Sequence, residues 1–382
     1  MTVIEEEGMS AEALSADEAK LYDRGIRLWG VESQQRLRQS VVLVLGMSEA
    51  AAEVCKNVVL AGIAKLVVVF ADDMMDDALK HGSNMFVMAE DAEGEKSAEE
   101  RAKLVLSRIN ELNNYVRVEA LHVASWSSSI LASTLSSTVL AQYDFVCVCD
   151  NAVPLKVAVE LNDRTRDAGA SFLDLRLFGT RAFLFCDMPL FDPDAASRSA
   201  ALRSSEGEIP AKRPCPRQRQ SLKRGPSYGE VLTLSDDDLR ALRVPDLLYT
   251  MRMINSDEDK PAKEDVAELL KLYHGQSEAA YVCAIIGGVA SQEVVKELMR
   301  DHRSPEELAA SVPSKEPISA EEQRRRQHAR LQKQNATGIP LCNVMCYDCV
   351  TGAGTVVYAS HEEAQSVHKA RMVAAEDTME IL

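Results

Sequence analysis

Long apolar runs are missing from this sequence. No uninterrupted stretch of its 382 residues reaches the roughly 18 apolar residues that a membrane-crossing helix needs, so no span is expected. The first twenty residues, MTVIEEEGMSAEALSADEAK, are acidic and hold no apolar core of a secretory signal. The expectation is a soluble chain inside the cell, in the nucleus and also the cytoplasm. Positive charge is short as well: 43 Lys and Arg stand against 59 Asp and Glu, for a net charge of -16 and a pI near 5.0. That balance disfavours a general nucleic-acid binder, whose affinity comes from phosphate contacts, and suits a protein that meets other proteins. No disulfide framework is legible. The nine cysteines are irregularly spaced, and in a long chain without a secretory signal they read as reduced thiols. Cys342, Cys346 and Cys349 are grouped, but zinc takes four ligands and no fourth lies nearby, so strand packing or a loop is expected and no metal site is assigned. Cys215 lies among Arg and Lys residues, which lower a thiol pKa; it is either a reactive thiol or one exposed by chance. There are no internal repeats.

What is present is material for a large core: 46% of residues are hydrophobic and 27% charged, enough for one α/β domain with insertions or for two domains. Val41-Val-Leu-Val-Leu-Gly46 reads as a strand buried on both faces and ending at glycine. A helix over about 48–60 stops at Gly62, and Lys65-Leu-Val-Val-Val-Phe70 is a second buried strand, which makes a βαβ unit. The alternation continues with a helix over 97–112, strands at 116–123 and 143–149, a helix over 151–168, and paired strands at 171–177 and 181–186. Strands alternating with helices predict a doubly wound α/β sheet. From 192 to 229 the composition shifts to Ser, Arg, Pro and Gly, which predicts an extended insertion. Its basic core, 212–224, is either a nuclear-import signal or a solvated linker. Helical patterns resume over 235–254, 263–272 and 279–299, and two last strands at 341–346 and 355–358 flank a turn.

The turn Leu45-Gly46-Met-Ser-Glu-Ala-Ala51 sits where a strand meets a helix N-terminus, the usual place for a phosphate. Only the first glycine of a G-x-G-x-x-G pattern is present. Ser48 can cap the helix, but Glu49 adds negative charge and Ala50 and Ala51 add Cβ atoms, so a structural turn is the favoured reading. The second strand ends in a cluster of carboxylates. Asp72 or Asp73 lies at about the spacing of a ribose or metal ligand, but an acidic surface loop is the favoured reading.

Several motifs carry a resemblance. Tyr22-Asp-Arg-Gly-Ile-Arg-Leu-Trp-Gly30 is similar to the N-terminal signature YDRQxRLWG of ubiquitin-like activating enzymes, with Gly25 in place of Gln. Lys56-Asn-Val-Val-Leu-Ala-Gly62 resembles the family helix KNLxLAG, and Ile109-Asn-Glu-Leu-Asn113 a helix end where LN precedes a strand. Cys283-Ala-Ile-Ile-Gly-Gly-Val-Ala-Ser-Gln-Glu-Val-Val-Lys296 resembles the late helix PVxAVVGGxxAQEVxK. The resemblance implies a doubly wound, Rossmann-like sheet of the ThiF and ubiquitin-activating type with flexible insertions. It divides the chain into an acidic arm (1–20), the first part of an inactive adenylation-type domain (21–190), a flexible basic insertion (191–234), a helical continuation (235–300), a polar charged insertion (301–338), and final strands with a tail (339–382).

Active members of the family carry a full glycine loop, an acidic pair after the second strand, an SNLNRQ-like segment, a Lys, and an Asp after the fourth strand. Here the loop is degraded and Gly82-Ser-Asn84 continues as Met-Phe-Val; Asp150-Asn151 matches, with helix capping as the alternative role for Asp150. No cysteine sits in a long inserted catalytic-cysteine domain. The resemblance therefore implies the regulatory subunit of a heterodimer, paired with a catalytic subunit that holds most of the ATP and Mg. The short insertion at about 190–235 points to SUMO as the modifier. Within this picture Arg24 reaches across the dimer interface to the partner's ATP, with an ion pair to Asp23 as the alternative. Gly46, Ser48, Asp72 and Asp150 are the candidates for any residual nucleotide contact in this chain. Three further readings remain: a self-sufficient adenylating enzyme for a ubiquitin-like or sulfur-carrier protein, the regulatory subunit for another modifier, and a scaffold that keeps the fold without any enzymatic involvement.

Overall fold

The run Val41–Leu45 has no polar member, which fits a strand covered on both faces. In the computed structural model this run is strand β1, and Val42 to Leu45 are fully buried. The structure describes residues 14–71, 84–92, 96–189, 224–242, 246–256, 267–269, 271–272, 279–300, 343–360 and 362–366. The further strands are β2 (Lys65–Ala71), β3 (Arg117–Val123), β4 (Phe145–Val148), β5 (Ser171–Phe178), β6 (Arg181–Asp187), β7 (Val344–Asp348) and β8 (Ala353–Val357). They form one sheet in the order β3-β2-β1-β4-β5-β6-β7-β8. The first five are parallel and the last three antiparallel. The edge strand β3 is the most exposed of the parallel strands.

The helices follow from the apolar spacing between these strands. At the start of the chain lie α1 (Ala16–Leu21), α2 (Asp23–Trp29) and α3 (Val31–Leu37). The crossovers hold α4 (Glu49–Ala61), α5 (Ala98–Asn110), α6 (Ser128–Thr134), α7 (Ser137–Leu140) and α8 (Leu155–Ala168). After β6 come α9 (Tyr228–Leu232), α10 (Asp236–Ala241), α11 (Asp246–Ser256) and the long apolar α12 (Ala280–Met299). Helix α12 packs along α4, which also touches α5; α8 packs with α9 and α11. Ser97 and Glu100 close α5 with a capping box, each satisfying the other's backbone N–H. The expected doubly wound α/β sheet is therefore present. Its order reverses at β1, so the carboxyl ends of β1 and β4 face the switch-point crevice where such sheets hold ligands.

Two expectations need correction. The basic insertion, expected to run to 234, ends before Arg224. Tyr228 is fully buried, stacks on Phe185 at 4.2 Å between centroids, and begins α9 behind a Ser227–Glu230 capping box. Val231, Leu232 and Leu234 are buried with it. A polar composition hid an apolar spacing. Arg224, the last residue of the basic stretch, is also buried: its Nη2 donates to the Ala170 carbonyl at 2.8 Å and its Nη1 lies 3.5 Å from Asp187, so it is not part of an exposed signal. The helix expected from Asn151 begins instead at Leu155 behind Pro154. Asp72, Asp73, Cys215, Cys342, residues 212–223 and the 301–338 insertion lie outside the described residues. Cys346 is buried on β7, where burial pushes its thiol up to about 12, and Cys349 follows in the turn.

The excursion between β6 and α9 leaves and returns at one point. Pro189 and Arg224 form an antiparallel bridge. Around them Arg166 donates to Asp187 at 2.8 Å and to the Gly225 carbonyl at 2.9 Å, and Arg300 donates to the Pro189 carbonyl at 2.8 Å. Replacing 191–222 by a short Gly-Ser turn is expected to leave cooperative unfolding intact. Shortening the loop lowers its closure entropy, so stability should hold or rise by up to ~2 kcal/mol. Urea denaturation followed by circular dichroism measures this; a loss of the cooperative transition would refute it.

Candidate functional site

At the switch point, β1 ends and the chain turns through Gly46, Met47 and Ser48 into α4. Ser48 does cap this helix: its Oγ accepts from the Ala51 N–H at 3.1 Å and donates to the Cys149 carbonyl at 2.6 Å. Opposite, Cys149 and Asp150 follow the end of β4. The Asp150 carboxylate points into the turn: Oδ2 accepts from the Met47 N–H at 3.2 Å, and Oδ1 accepts from the Ala152 N–H at 2.8 Å. Gly46 has φ +118°, and a Cβ there would stand 2.4 Å from the Asp150 Cβ. The glycine therefore accommodates the chain's own carboxylate. Asp150 is consequently not the cap of α8, which starts five residues later.

The electrostatics agree with this geometry. A helix N-terminus with free N–H groups attracts an anion, and here an anion is already built in. Burial raises the Asp150 carboxyl above the ordinary carboxylate range, and the backbone N–H groups around it pull it back down. Glu49, the first residue of α4, is buried too, and burial followed by the Glu53 charge raises its carboxyl. Among the described residues, Glu49 and Asp150 both bring a carboxyl group to the turn, and the Arg176 guanidinium reaches Asp150 only at its backbone carbonyl. That balance of charge disfavours a phosphate at these residues. Asn84 ties the segment after β2 to the same turn: its Nδ2 donates to the Met47 carbonyl at 2.6 Å, and its Oδ1 accepts from the Phe86 N–H at 2.8 Å.

Beneath the turn lies a pair that sequence reasoning missed. Asp174 and Arg176, two apart on β5, share one face and are both fully buried. Arg176 Nε donates to both Asp174 oxygens, at 2.8 and 2.9 Å, and its Nη1 donates to the carbonyls of Asp150 and Val153. The Tyr228 hydroxyl donates to Asp174 at 2.7 Å. The signal was available: Phe172-Leu-Asp-Leu-Arg-Leu-Phe178 is apolar except for two opposite charges at strand spacing.

Arg24 lies at the other end of the sheet. Helix α4 runs back from the turn, so Gly62 at its end stands by the amino ends of β1 and β2, and Tyr22 packs on Gly62. The five residues of β1 at ~3.3 Å each place roughly 17 Å between the two ends. The alternative ion pair is also absent, because Asp23 is taken by Arg27 at 2.9 Å. Among the described residues, Arg24 has no hydrogen-bond or ion-pair partner, and it is exposed. Exposed Leu28 lies four residues after it, on the same face of α2, and exposed Leu21 ends α1 just before it. The structure thus brings Gly46, Ser48 and Asp150 together and keeps Arg24 apart from them. Among the described residues, no group of three or more His, Cys, Asp and Glu side chains could hold a metal ion.

The model of the ThiF family matches residues 22–344. The chain belongs to the ThiF family. Three curated relatives of this ThiF-family chain have 27% identity to it. SUMO-activating enzyme subunit 1 of Dictyostelium discoideum aligns over 78% of this chain and 89% of its own length. The Xenopus laevis protein of the same name aligns over 75% and 91%, and SUMO-activating enzyme subunit 1A of Arabidopsis thaliana over 75% and 90%.

The contacts of Asp150 make a prediction. Asp150→Ala leaves two N–H groups without their acceptor and is expected to destabilise this ThiF-family fold by about 1–3 kcal/mol. Asp150→Asn keeps one acceptor oxygen and removes the buried charge, so it should cost less than half as much. Chemical denaturation of the two variants tests the order, and a costlier Asn variant would contradict it.

Proposed function

We propose that this chain is the regulatory, non-thioester-forming subunit of a heterodimeric SUMO-activating enzyme. It supports adenylation of the modifier's C-terminus by a catalytic partner that holds most of the ATP and Mg. The relatives named as SUMO-activating enzyme subunit 1, aligned over about nine-tenths of their own lengths, support the choice of modifier and pathway. The observation that carries the division of roles is the polarity of the fold. The turn that would hold a nucleotide is closed by the chain's own Asp150, while Arg24 stands partnerless among the described residues at the opposite end, between exposed leucines.

Attack of a carboxylate on the α-phosphate builds negative charge on phosphate oxygens, and a guanidinium supplied from another subunit stabilises it by paired, charge-assisted hydrogen bonds. Arg24 is placed to act on a neighbour and not on its own turn. The exposed side chains of Leu21 and Leu28 give the partner apolar surface to bury near it. In the cell the complex works in the nucleus and also the cytoplasm.

ATP–pyrophosphate exchange with SUMO tests the proposal, run with this chain alone, the catalytic subunit alone and the complex. The expected result is exchange that needs the complex. Exchange by this chain alone would sink the regulatory reading and make it a self-sufficient adenylating enzyme.

A further inference from the structure

Three segments that carry the family resemblance meet at one junction. Tyr22 is buried, and its hydroxyl accepts from Asn113 Nδ2 at 2.8 Å. The same Nδ2 donates to the Val59 carbonyl at 2.9 Å in the last turn of α4, and Asn113 Oδ1 accepts from the Tyr115 N–H at 3.1 Å. The Tyr22 ring lies over Gly62: a Cβ there would come within 2.5–2.6 Å of two ring carbons and the hydroxyl oxygen, and the glycine's φ of +83° is one that side chains rarely adopt. Gln34 of α3 adds a second tie, its Nε2 donating to the Ala61 carbonyl at 2.9 Å.

This junction is unusual in where its polar groups are placed. Tyr22 is the residue immediately before α2 and gives that helix no side-chain cap, so its hydroxyl does nothing for the helix itself. It instead fixes the start of α2 to the end of α4 and to Asn113, three residues past α5. Arg24 lies in the first turn of α2, two residues on, and has no tether of its own among the described residues. A long exposed side chain can be aimed only through its backbone.

We propose that Tyr22, Gly62 and Asn113 form a clamp that positions Arg24 for the partner's adenylation site. The clamp rests on the trans-arginine reading above and extends it to residues that touch neither nucleotide nor modifier. Removing one hydrogen bond at the junction changes stability little, whereas a shift of about 1 Å in a reacting group can cost up to ~100-fold in rate. Tyr22→Phe keeps the ring over Gly62 and loses only the hydroxyl. It is expected to lower the turnover of pyrophosphate exchange in the complex about tenfold, with the KM for ATP unchanged. Asn113→Ala should do the same.

The test is a double-mutant cycle in the intact complex, comparing Tyr22→Phe, Asn113→Ala, Arg24→Ala and each clamp variant combined with Arg24→Ala. If the clamp acts through Arg24, adding Tyr22→Phe or Asn113→Ala to Arg24→Ala costs nothing more. If the losses multiply, or if the clamp variants run at the wild-type rate while Arg24→Ala is slow, the clamp is overturned and the trans-arginine reading survives. If Arg24→Ala itself runs at the wild-type rate, the trans-arginine reading falls and the clamp falls with it.

Discussion

In the complex with the catalytic subunit, Arg24→Ala is expected to slow pyrophosphate exchange by about 10²–10³-fold, the range lost when one preorganised charge-stabilising donor is removed, with larger losses known for arginines supplied between proteins. The same change should leave the isolated chain as stable as before, within about 0.5 kcal/mol, because Arg24 is exposed and makes no hydrogen bond or ion pair among the described residues. That combination separates a chemical role from a structural one. Arg24→Lys keeps the charge but not the planar pair of donors, so it should recover only part of the rate. Turnover is the quantity to read, with ATP saturating and the complex verified by size. A rate within threefold of wild type would remove Arg24 from the reaction.

The second large effect is on stability. Asp174→Ala is expected to destabilise the fold by about 3–5 kcal/mol, since it strands the fully buried Arg176 without its counter-charge. Arg176 also holds the carbonyls of Asp150 and Val153, so the loss reaches the turn at the end of β4. The Tyr228 hydroxyl loses its acceptor as well. Replacing both charges with apolar side chains, Asp174→Leu with Arg176→Met, should cost far less than the single change, because no unpaired charge remains buried. Urea midpoints of the three proteins decide the matter. A single-variant loss below about 1 kcal/mol would mean that water reaches Arg176.

Much of the sheet was legible because its central strands β1, β2 and β4 are almost wholly apolar. Val41–Leu45 and Lys65–Ala71 have no other reading at that length and between those glycines. The doubly wound order followed from the alternation with helices. The cap at Ser48 was legible for a local reason: a serine side chain reaches the N–H three residues on. The role of Asp150 was not, because its partner Met47 is 103 residues away and only the folded sheet brings β1 and β4 together. Tyr228 was hidden by its neighbours: a serine- and arginine-rich stretch masked three apolar residues at helical spacing, Tyr228, Val231 and Leu232. Arg24 is an intermediate case. Adjacent residues on a helix do not face each other, whereas residues four apart do. The pairing of Asp23 with Arg27, and not with Arg24, was therefore implicit in the spacing.

The bridge between Pro189 and Arg224 has a consequence for how this chain can change over generations. The bridge ties together the two described residues that flank the excursion, so a change of length between them need not disturb β6 or α9. Length differences between this chain and its relatives should therefore accumulate at 190–223, while the strands on either side keep their register.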